Sequence, residues 1–195
     1  MAIASSTQYF TRIITLDKQG NTVAGSQQAV TTDGIHNSDI YTDLQQNFKA
    51  HAGLAITLPA GANGNQILKY SVTDWLSGNC AYSNVTGLFT AGAAGKFIFS
   101  GQAEINGLLA SGALLTMRLA IKQNASIIWY GPNAVGIADA GAPASTTYSL
   151  CAGISGSLNL AVNDTVGLVI YWVGLTGDSI IASENCFFQG QVLPG

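Results

Sequence analysis

The residue types that carry catalysis or bind metals are few in this sequence and stand far apart. Its histidines are His36 and His51, and its ten carboxylates are spread singly along the chain. Asp33 and Asp39 lie near His36, but an Asp-Gly pair at Asp33 is typical of a turn, and Asp39 suits an exposed position near a helix start. No serine stands in a Gly-x-Ser-x-Gly elbow, and no phosphate-binding loop occurs. We therefore predict that the protein is not an enzyme and holds no cofactor.

The cysteines and the remaining carboxylates support the same interpretation. Cys80, Cys151 and Cys186 have neither the spacing of a zinc site nor the even number of a disulfide framework, so we expect small buried hydrophobes. Asp164 is expected to fix a turn by accepting hydrogen bonds from backbone N–H groups. A calcium site at Asp164 is the alternative, but isolated carboxylates supply few of the oxygen ligands that calcium needs. No metal site is predicted.

Charge is scarce in this chain. Charged residues make up 9% of it and hydrophobic residues 48%, whereas charged residues are about 25% of an average soluble domain. Charge is depleted where proteins bury surface against partners, so we expect self-association, with a neutral, hydroxyl-rich monomer as the alternative. The seven Lys and Arg residues are scattered, which argues against a direct nucleic-acid partner. No apolar run reaches the length of a membrane span, and the first residues lack the apolar core of a secretory signal.

The first third of the sequence gives mixed signals. Residues 8–16 (QYFTRIITL) are rich in β-branched and aromatic side chains and predict one strand of a hairpin. Residues 38–51 allow one or two helical turns, and 54–58 alternate like a strand. The Gly- and Asn-rich stretch that follows predicts a boundary. We therefore divide the chain into an N-terminal anchoring arm or small subdomain, 1–65, and a head domain, 66–195.

Strand-like runs dominate the head. They recur at roughly ten-residue spacing with turn residues between them, which is typical of an all-β sandwich or jelly roll. The run 165–172 (TVGLVIYW) is apolar on both faces. A strand buried on both faces needs cover on both, and we expect a second subunit to supply the outer cover. The predicted strands span residues 67–72, 87–90, 95–105, 114–122, 125–130, 146–154, 156–160, 165–173 and 186–193.

Three segments of the head resemble the C1q/TNF-like family. Residues 87–100 (GLFTAGAAGKFIFS) resemble its strand pair G-x-F-T-A-P-x-x-G-x-Y-x-F-S, with glycine and phenylalanine replacing the proline and tyrosine. Residues 158–166 (LNLAVNDTV) are similar to L-x-L-x-x-G-D-x-V. Asn163 stands there in place of glycine, and both residue types tolerate a positive φ. The last run, 186–193 (CFFQGQVL), is similar to the closing strand S-x-F-x-G-x-L.

The resemblance covers about residues 66–195, and it implies both a fold and an assembly. The implied fold is a jelly-roll β-sandwich, and the implied assembly is a tight homotrimer with apolar strand faces packed around its threefold axis. Members of the family bind other proteins, and catalysis is not their usual role. The trimer-core residues expected on this basis are Phe97, Phe99, Leu168, Ile170, Trp172 and Phe188.

The sequence lacks a collagen-like Gly-X-Y repeat and a recognisable secretion signal, so it looks more like the bacteriophage uses of this fold. The resemblance then implies a viral protein of the virion, a capsid decoration (cement) protein that is assembled in the host cytoplasm. It would bind the major capsid protein at the capsid surface, by adding a strand to a neighbouring sheet. The expected anchoring residues are Tyr9, Phe10, Ile13 and Ile14.

Two other functions stay open. A receptor-binding tip of a phage tail or head fibre would bind glycans through loops near 129–133 and 174–178, where Trp129 and Tyr130 are either exposed anchors or buried. A secreted C1q-like binding ligand is the other, and it requires export. We prefer the decoration interpretation because a fibre needs a shaft, for which residues 1–65 leave little room.

Overall fold

The computed structural model describes residues 46–59, 61–108, 114–137, 147–175 and 179–193. Within these ranges all regular secondary structure is β, in fourteen strands. The strands are β1 (Asn47–His51), β2 (Ile56–Thr57), β3 (Gly61–Ile67), β4 (Val72–Ser77), β5 (Ala81–Ser83), β6 (Leu88–Thr90), β7 (Gly95–Leu108), β8 (Leu114–Gln123), β9 (Ser126–Tyr130), β10 (Ala134–Ile137), β11 (Thr147–Leu160), β12 (Thr165–Leu175), β13 (Ser179–Ile180) and β14 (Phe187–Val192).

Seven antiparallel strands form sheet I, with β7 at its centre. On one side β11 pairs along the whole length of β7. On the other side β14 and then β13 pair with successive parts of the same strand. The sheet continues from β14 to β1 and β4, and from β13 to β2.

The other seven strands form sheet II around β12. One side of β12 pairs with β8, and its other side pairs with β6 and β3 in tandem. Beyond β8 lie β9 and β10, and beyond β6 lies β5. The long strands alternate between the sheets in chain order, since β7, β11 and β14 belong to sheet I and β8 and β12 to sheet II. This alternation makes the sandwich a jelly roll.

The two-residue period of the strands decides which side chains meet between the sheets. On β7, Phe97 and Phe99 are buried, while Ile98 between them is exposed. Aromatic rings from both sheets form one cluster with centroid separations of 4.7–6.3 Å, in stacked and edge-on pairs. Such pairs contribute about 0.5–1.5 kcal/mol beyond their buried area. The cluster consists of Phe48, Tyr82, Phe89, Phe97, Phe99 and Phe188.

The all-β jelly-roll sandwich that the sequence predicts is confirmed. Strands β7, β8 and β12 begin at the predicted residues and extend slightly further than predicted. The runs predicted separately at 146–154 and 156–160 form the single strand β11. The strand continues through Gly156 because this residue pairs with Phe99 of β7.

The predicted division between residues 65 and 66 is corrected. Strands β1 and β2 belong to sheet I and β3 to sheet II, so the sandwich includes residues before 66. Where the structure describes the predicted helical turns over 38–51, it shows β1, whose backbone groups pair with β14 on one side and β4 on the other. The compact unit that contains both sheets begins at Ile40. The hairpin predicted at 8–16 lies outside the described residues.

Asp164 organises the turn between β11 and β12, as predicted. Its Oδ2 accepts hydrogen bonds from the backbone N–H of Ala161 at 2.9 Å and from Gln123 Nε2 at 3.0 Å, and its Oδ1 accepts one from Asn124 Nδ2 at 2.9 Å. Asn163, expected to replace a glycine, has a positive φ of 69°. The hydrogen bonds from Asn124, Ala161 and Gln123 lower the pKa of the Asp164 carboxyl below its usual value.

Gly190 gives a test of the packing in sheet I. A Cβ at this position would lie 2.5 Å from Cε1 of Phe99 and 2.9 Å from Cε1 of Phe48. Both rings are buried, so we expect Gly190→Ala to lower the free energy of unfolding by about 1–3 kcal/mol. Gly136→Ala is the control, because its nearest contact would be 3.8 Å from Leu150 Cδ1. Equal urea midpoints for the two variants would contradict this account of the core.

The Asp164 network predicts a pH dependence. Because the folded-state pKa is lowered, the carboxylate stabilises the fold above its unfolded pKa of about 3.9, and this stabilisation is lost as the pH falls through the folded pKa. Urea unfolding of the natural chain and of Asp164→Asn should therefore differ most near pH 6 and converge below pH 3. Glu184→Gln removes an exposed carboxylate and serves as the control. A constant difference across this pH range would refute the assignment.

Candidate functional site

The six predicted trimer-core residues lie inside the single-chain sandwich. Their exposed fractions range from 0% to 3%, so they have no surface to offer a second subunit. They fill the core between sheets I and II. The predicted trimer core is therefore corrected. Sequence alternation identified the buried face of each strand, but it could not show that the opposite sheet of the same chain covers this face. The residues are Phe97, Phe99, Leu168, Ile170, Trp172 and Phe188.

The outer face of β12 also needs no second subunit as cover. Val169 on β12 and its cross-strand neighbour Ala120 on β8 are 4% and 0% exposed within the single chain. The expected anchoring residues Tyr9, Phe10, Ile13 and Ile14 lie outside the described residues. Surfaces that could contact a partner must therefore be sought among the outward side chains of the two sheets.

The outward face of sheet I is flat and nearly uncharged along β11. From Ser149 to Leu160 the side chains of this strand alternate strictly, and those that point outward are small or polar and uncharged. These side chains are too small to keep another surface at a distance, and they carry no charge that would have to be desolvated. Charge depletion of this kind is typical of interface centres. These outward residues are Ser149, Cys151, Gly153, Ser155, Ser157 and Asn159. The exposure of Cys151 corrects the expectation that all three cysteines are buried.

A shallow groove with a volume of about 350 Å³ crosses the same face of sheet I. Its apolar wall is formed by Trp75 on β4 and Ile98 on β7, which are 49% and 36% exposed. Ser100, Ser155 and Gln191 line the rest with uncharged polar groups. An exposed tryptophan beside an uncharged groove is a typical anchor point for a protein partner.

The charges at the end of this groove neutralise one another. Asp74 accepts a hydrogen bond from His51 Nδ1 at 2.7 Å and lies 3.5 Å from Lys49 Nζ. The Lys49 ammonium also lies over the rings of Trp75 and Phe187, at 5.2 and 5.8 Å from their centroids. Partly exposed pairs of this kind contribute little stability, but they leave this end of the groove without a strong field of either sign.

A second apolar surface runs along the edge formed by β9 and β10. Ile128 and Trp129 on β9 are 44% and 45% exposed, and Val135 on β10 is 53% exposed. Trp129 packs against β11, because a Cβ at Gly156 would lie 3.4 Å from its ring. The edge therefore presents apolar side chains, of which Trp129 contacts the inward side of β11 at Gly156. The sequence left Trp129 open between exposure and burial, and the structure shows it half-exposed.

The outward face of sheet II carries a different arrangement, an arginine between two tyrosines. The guanidinium carbon of Arg118 lies 4.2 Å from the ring centroid of Tyr130 and 5.3 Å from that of Tyr171. The two rings are 5.6 Å apart. Desolvation raises the pKa of Tyr171 and the Tyr130 hydrogen bond adds to this, whereas the charge of Arg118 acts in the opposite direction. The Tyr171 side chain is thus a neutral hydroxyl group near pH 7.

Next to this arginine the surface is concave. A pocket with a volume of about 430 Å³ includes Arg118 and Tyr171 in its lining, together with uncharged polar side chains from β3, β8 and the loop before β10. Those side chains are Asn63 and Asn65 on β3, Thr116 on β8 and Asn133 in the loop before β10. Sequence reasoning missed Arg118, although its outward position follows from the alternation of β8.

Groups suited to catalysis do not converge in the described part of the chain. No three His, Cys, Asp or Glu residues lie close enough there to hold a metal ion. Burial raises the pKa of the Cys80 and Cys186 thiols, which keeps them protonated near neutral pH. The Glu104 carboxylate accepts a hydrogen bond from Ser149 Oγ on the neighbouring strand. Among the described residues, none forms a helix of the length and apolarity that a bilayer crossing requires.

No protein-family model matches the chain, and no curated protein matches it significantly. Solved structures do match. Eiger TNF from S. frugiperda is similar over 77% of this chain and 93% of its own length, with 14% sequence identity and a TM-score of 0.50. Murine APRIL is similar over 76% of this chain and 99% of its own length, with 8% identity and a TM-score of 0.48. The match to Eiger TNF, together with the two-sheet topology, shows that the fold is an all-β, TNF-like jelly-roll sandwich.

Proposed function

We propose that the chain is a non-enzymatic structural and binding module that assembles as a homotrimer. The contact would be made between the outward face of sheet I on one subunit and the β9–β10 edge on the next. The observation that carries this proposal is the pairing of two exposed apolar surfaces, one at Trp75 and Ile98 and the other at Ile128, Trp129 and Val135. The trimer implied by the C1q/TNF-like resemblance supports the same assembly.

The two surfaces are complementary in the way that a ring requires. They differ from each other and lie on different elements, so a contact between them is heterologous, and three copies related by a threefold rotation would close a ring through it. The groove at Trp75 and Ile98 is concave, and the edge at Trp129 projects large side chains. Between them, the outward residues of β11 offer no uncompensated charge to desolvate.

We further propose that the trimer is a virion component that decorates a capsid shell. The support for this step comes from the sequence. The first described strand begins at Asn47, and the apolar, β-branched run at 8–16 precedes it with the composition of a strand that could extend a neighbouring sheet. Three such arms on one trimer would bind a shell with a gain from effective concentration, because one bound arm keeps the other two nearby.

A receptor-binding tip is the second candidate function. The open, aromatic-lined pocket at Arg118 favours it, because this pocket lies on sheet II and the proposed subunit contact uses sheet I and the β9–β10 edge. A secreted binding ligand would use the same fold and the same assembly. The two experiments below test the assembly and the capsid role separately.

The subunit contact is tested by Ile98→Glu, which places a charge in the groove of sheet I. We expect the natural chain to sediment as a trimer, at three times its mass of 20.1 kDa. A buried unpaired carboxylate should weaken assembly by at least about 2 kcal/mol, so that the variant is monomeric at micromolar concentration. Val85→Glu introduces the same change at a 74% exposed turn position and should stay trimeric. A monomeric natural chain, or a fully trimeric Ile98→Glu variant, would refute the proposed contact.

The capsid role is tested by two paired substitutions, Tyr9→Asp with Ile13→Asp and Phe10→Asp with Ile14→Asp. Each pair lies on one face of the predicted strand, and these sites leave strands β1 to β3 intact, unlike a deletion of residues 1–65. We expect at least one pair to reduce co-sedimentation with undecorated shells by about tenfold, because a charge replaces an apolar contact. The trimer should persist in both. Shell binding at the natural level by both variants would rule out the anchoring residues.

A further inference from the structure

We propose that the outward face of sheet II binds an acidic saccharide, a sugar unit that bears a carboxylate, with Arg118 as the partner of that carboxylate. The site is the pocket of about 430 Å³ described above. Its volume lies in the range of small-ligand sites and accommodates one or two sugar rings. The proposal concerns a ligand of the head itself and is independent of the capsid role.

Strand register builds the site from two cross-strand rows. In the first row, Asn65 on β3 pairs with Tyr171 on β12, which pairs with Arg118 on β8. In the second row, Asn63 and Thr116 pair with Val173 from opposite sides. Directly opposed residues on one face of a sheet have Cβ atoms about 4.5–5.5 Å apart. Three polar side chains and an arginine are thereby held on one rigid surface.

The guanidinium of Arg118 is available to bind an anion. Across the part of the chain that the structure describes, ion pairs join Asp74 to Lys49 and to His51, and no carboxylate lies within ion-pair distance of Arg118. The guanidinium of Arg118 lies over the Tyr130 ring, 4.2 Å from its centroid, and this cation–π contact uses none of the five N–H donors that can bind an anion. A carboxylate can accept two parallel hydrogen bonds from the edge of a guanidinium, the geometry that distinguishes arginine from lysine.

The other polar groups fit sugar hydroxyls better than a second charge. Asn63, Asn65 and Asn133 each offer an amide that both donates and accepts hydrogen bonds, and Thr116 offers a hydroxyl. Sugar hydroxyls have the same dual character. Arg118 is the one cationic residue that lines the pocket, which suits a single carboxylate and not a polyanion such as a nucleic-acid backbone.

The test is a titration of the full-length protein with sialyllactose and with glucuronic acid, compared with lactose and glucose. Binding would be measured by saturation-transfer NMR. We expect the acidic sugars to bind with a Kd of about 1 mM per site and the neutral sugars at least tenfold more weakly. Arg118→Gln should weaken acidic-sugar binding at least about tenfold, and Arg118→Lys should weaken it severalfold, because the planar fork is lost.

Lys122→Gln is the matched control. Lys122 lies four residues after Arg118 on the same face of β8, so the substitution removes one positive charge from that face but outside the pocket lining. It should leave sugar binding unchanged. Asn133→Ala, at an exposed loop position, should weaken binding severalfold, and thermal melting of each variant checks folding. Inorganic phosphate is the competitor that distinguishes a sugar site from a simple anion site.

Four results would each overturn the proposal. The first is that neither acidic sugar binds at concentrations up to about ten times the expected Kd, and the second is that neutral and acidic sugars bind equally. The third is that Lys122→Gln weakens binding as much as Arg118→Gln, and the fourth is that phosphate displaces the sugars at equal concentration. None of these outcomes bears on whether the chain trimerises or binds a capsid.

Discussion

The aromatic cluster between the sheets is the interaction on which the rest of this structure depends, and glycines make its packing possible. Phe99 and Phe48 lie against the backbone of Gly190, Leu168 lies against Gly101, and a Cβ at Gly64 would meet the Trp172 ring at 2.2 Å. Each large side chain therefore fills space that a neighbouring strand leaves empty. Interiors packed in this way have no spare apolar surface, so the core residues hold the two sheets together and contribute to assembly only by fixing the outward side chains.

Because the core fixes the outward side chains, the two sheets present surfaces of different composition. The pairing of β11 with β7 sets the small side chains of β11 beside Ile98, and the pairing of β8 with β12 sets Arg118 beside Tyr171. The first face is suited to close contact with another flat surface, because the outward side chains described on β11 are small and uncharged. The second is concave and polar, and it suits a small hydrophilic ligand. One sandwich thus presents two chemically distinct surfaces.

Much of the fold could be predicted from the sequence, but the sites depended on pairing that the sequence does not display. Alternation of large apolar residues located β7 and β8, since burial on one face leaves a two-residue period, and a continuous apolar run located β12. The composition of β3 (GANGNQI) has no such period, and β1 (NFKAH) shows it only through Phe48 and Ala50, so partner strands on one or both sides are what hold these segments extended. Phe97, Phe99 and Phe188 of the aromatic cluster were predicted to pack against a second subunit, whereas they pack inside the single chain. Arg118 and Asn65 are 53 positions apart in sequence and meet only through Tyr171.

The state of each charge indicates which face can be buried against protein. On sheet I, Lys49, His51 and Asp74 already compensate one another, so a second subunit that covered them would desolvate a paired group. On sheet II, Arg118 has ring contacts and no described carboxylate partner, and covering it with an uncharged protein surface would leave a buried, unpaired cation, which is costly. An arrangement of subunits that buries the groove of sheet I, and leaves Lys96, Glu104 and sheet II open, avoids this cost. The same reasoning explains why an anion is the ligand that Arg118 favours, since only an opposite charge offsets the desolvation of the guanidinium.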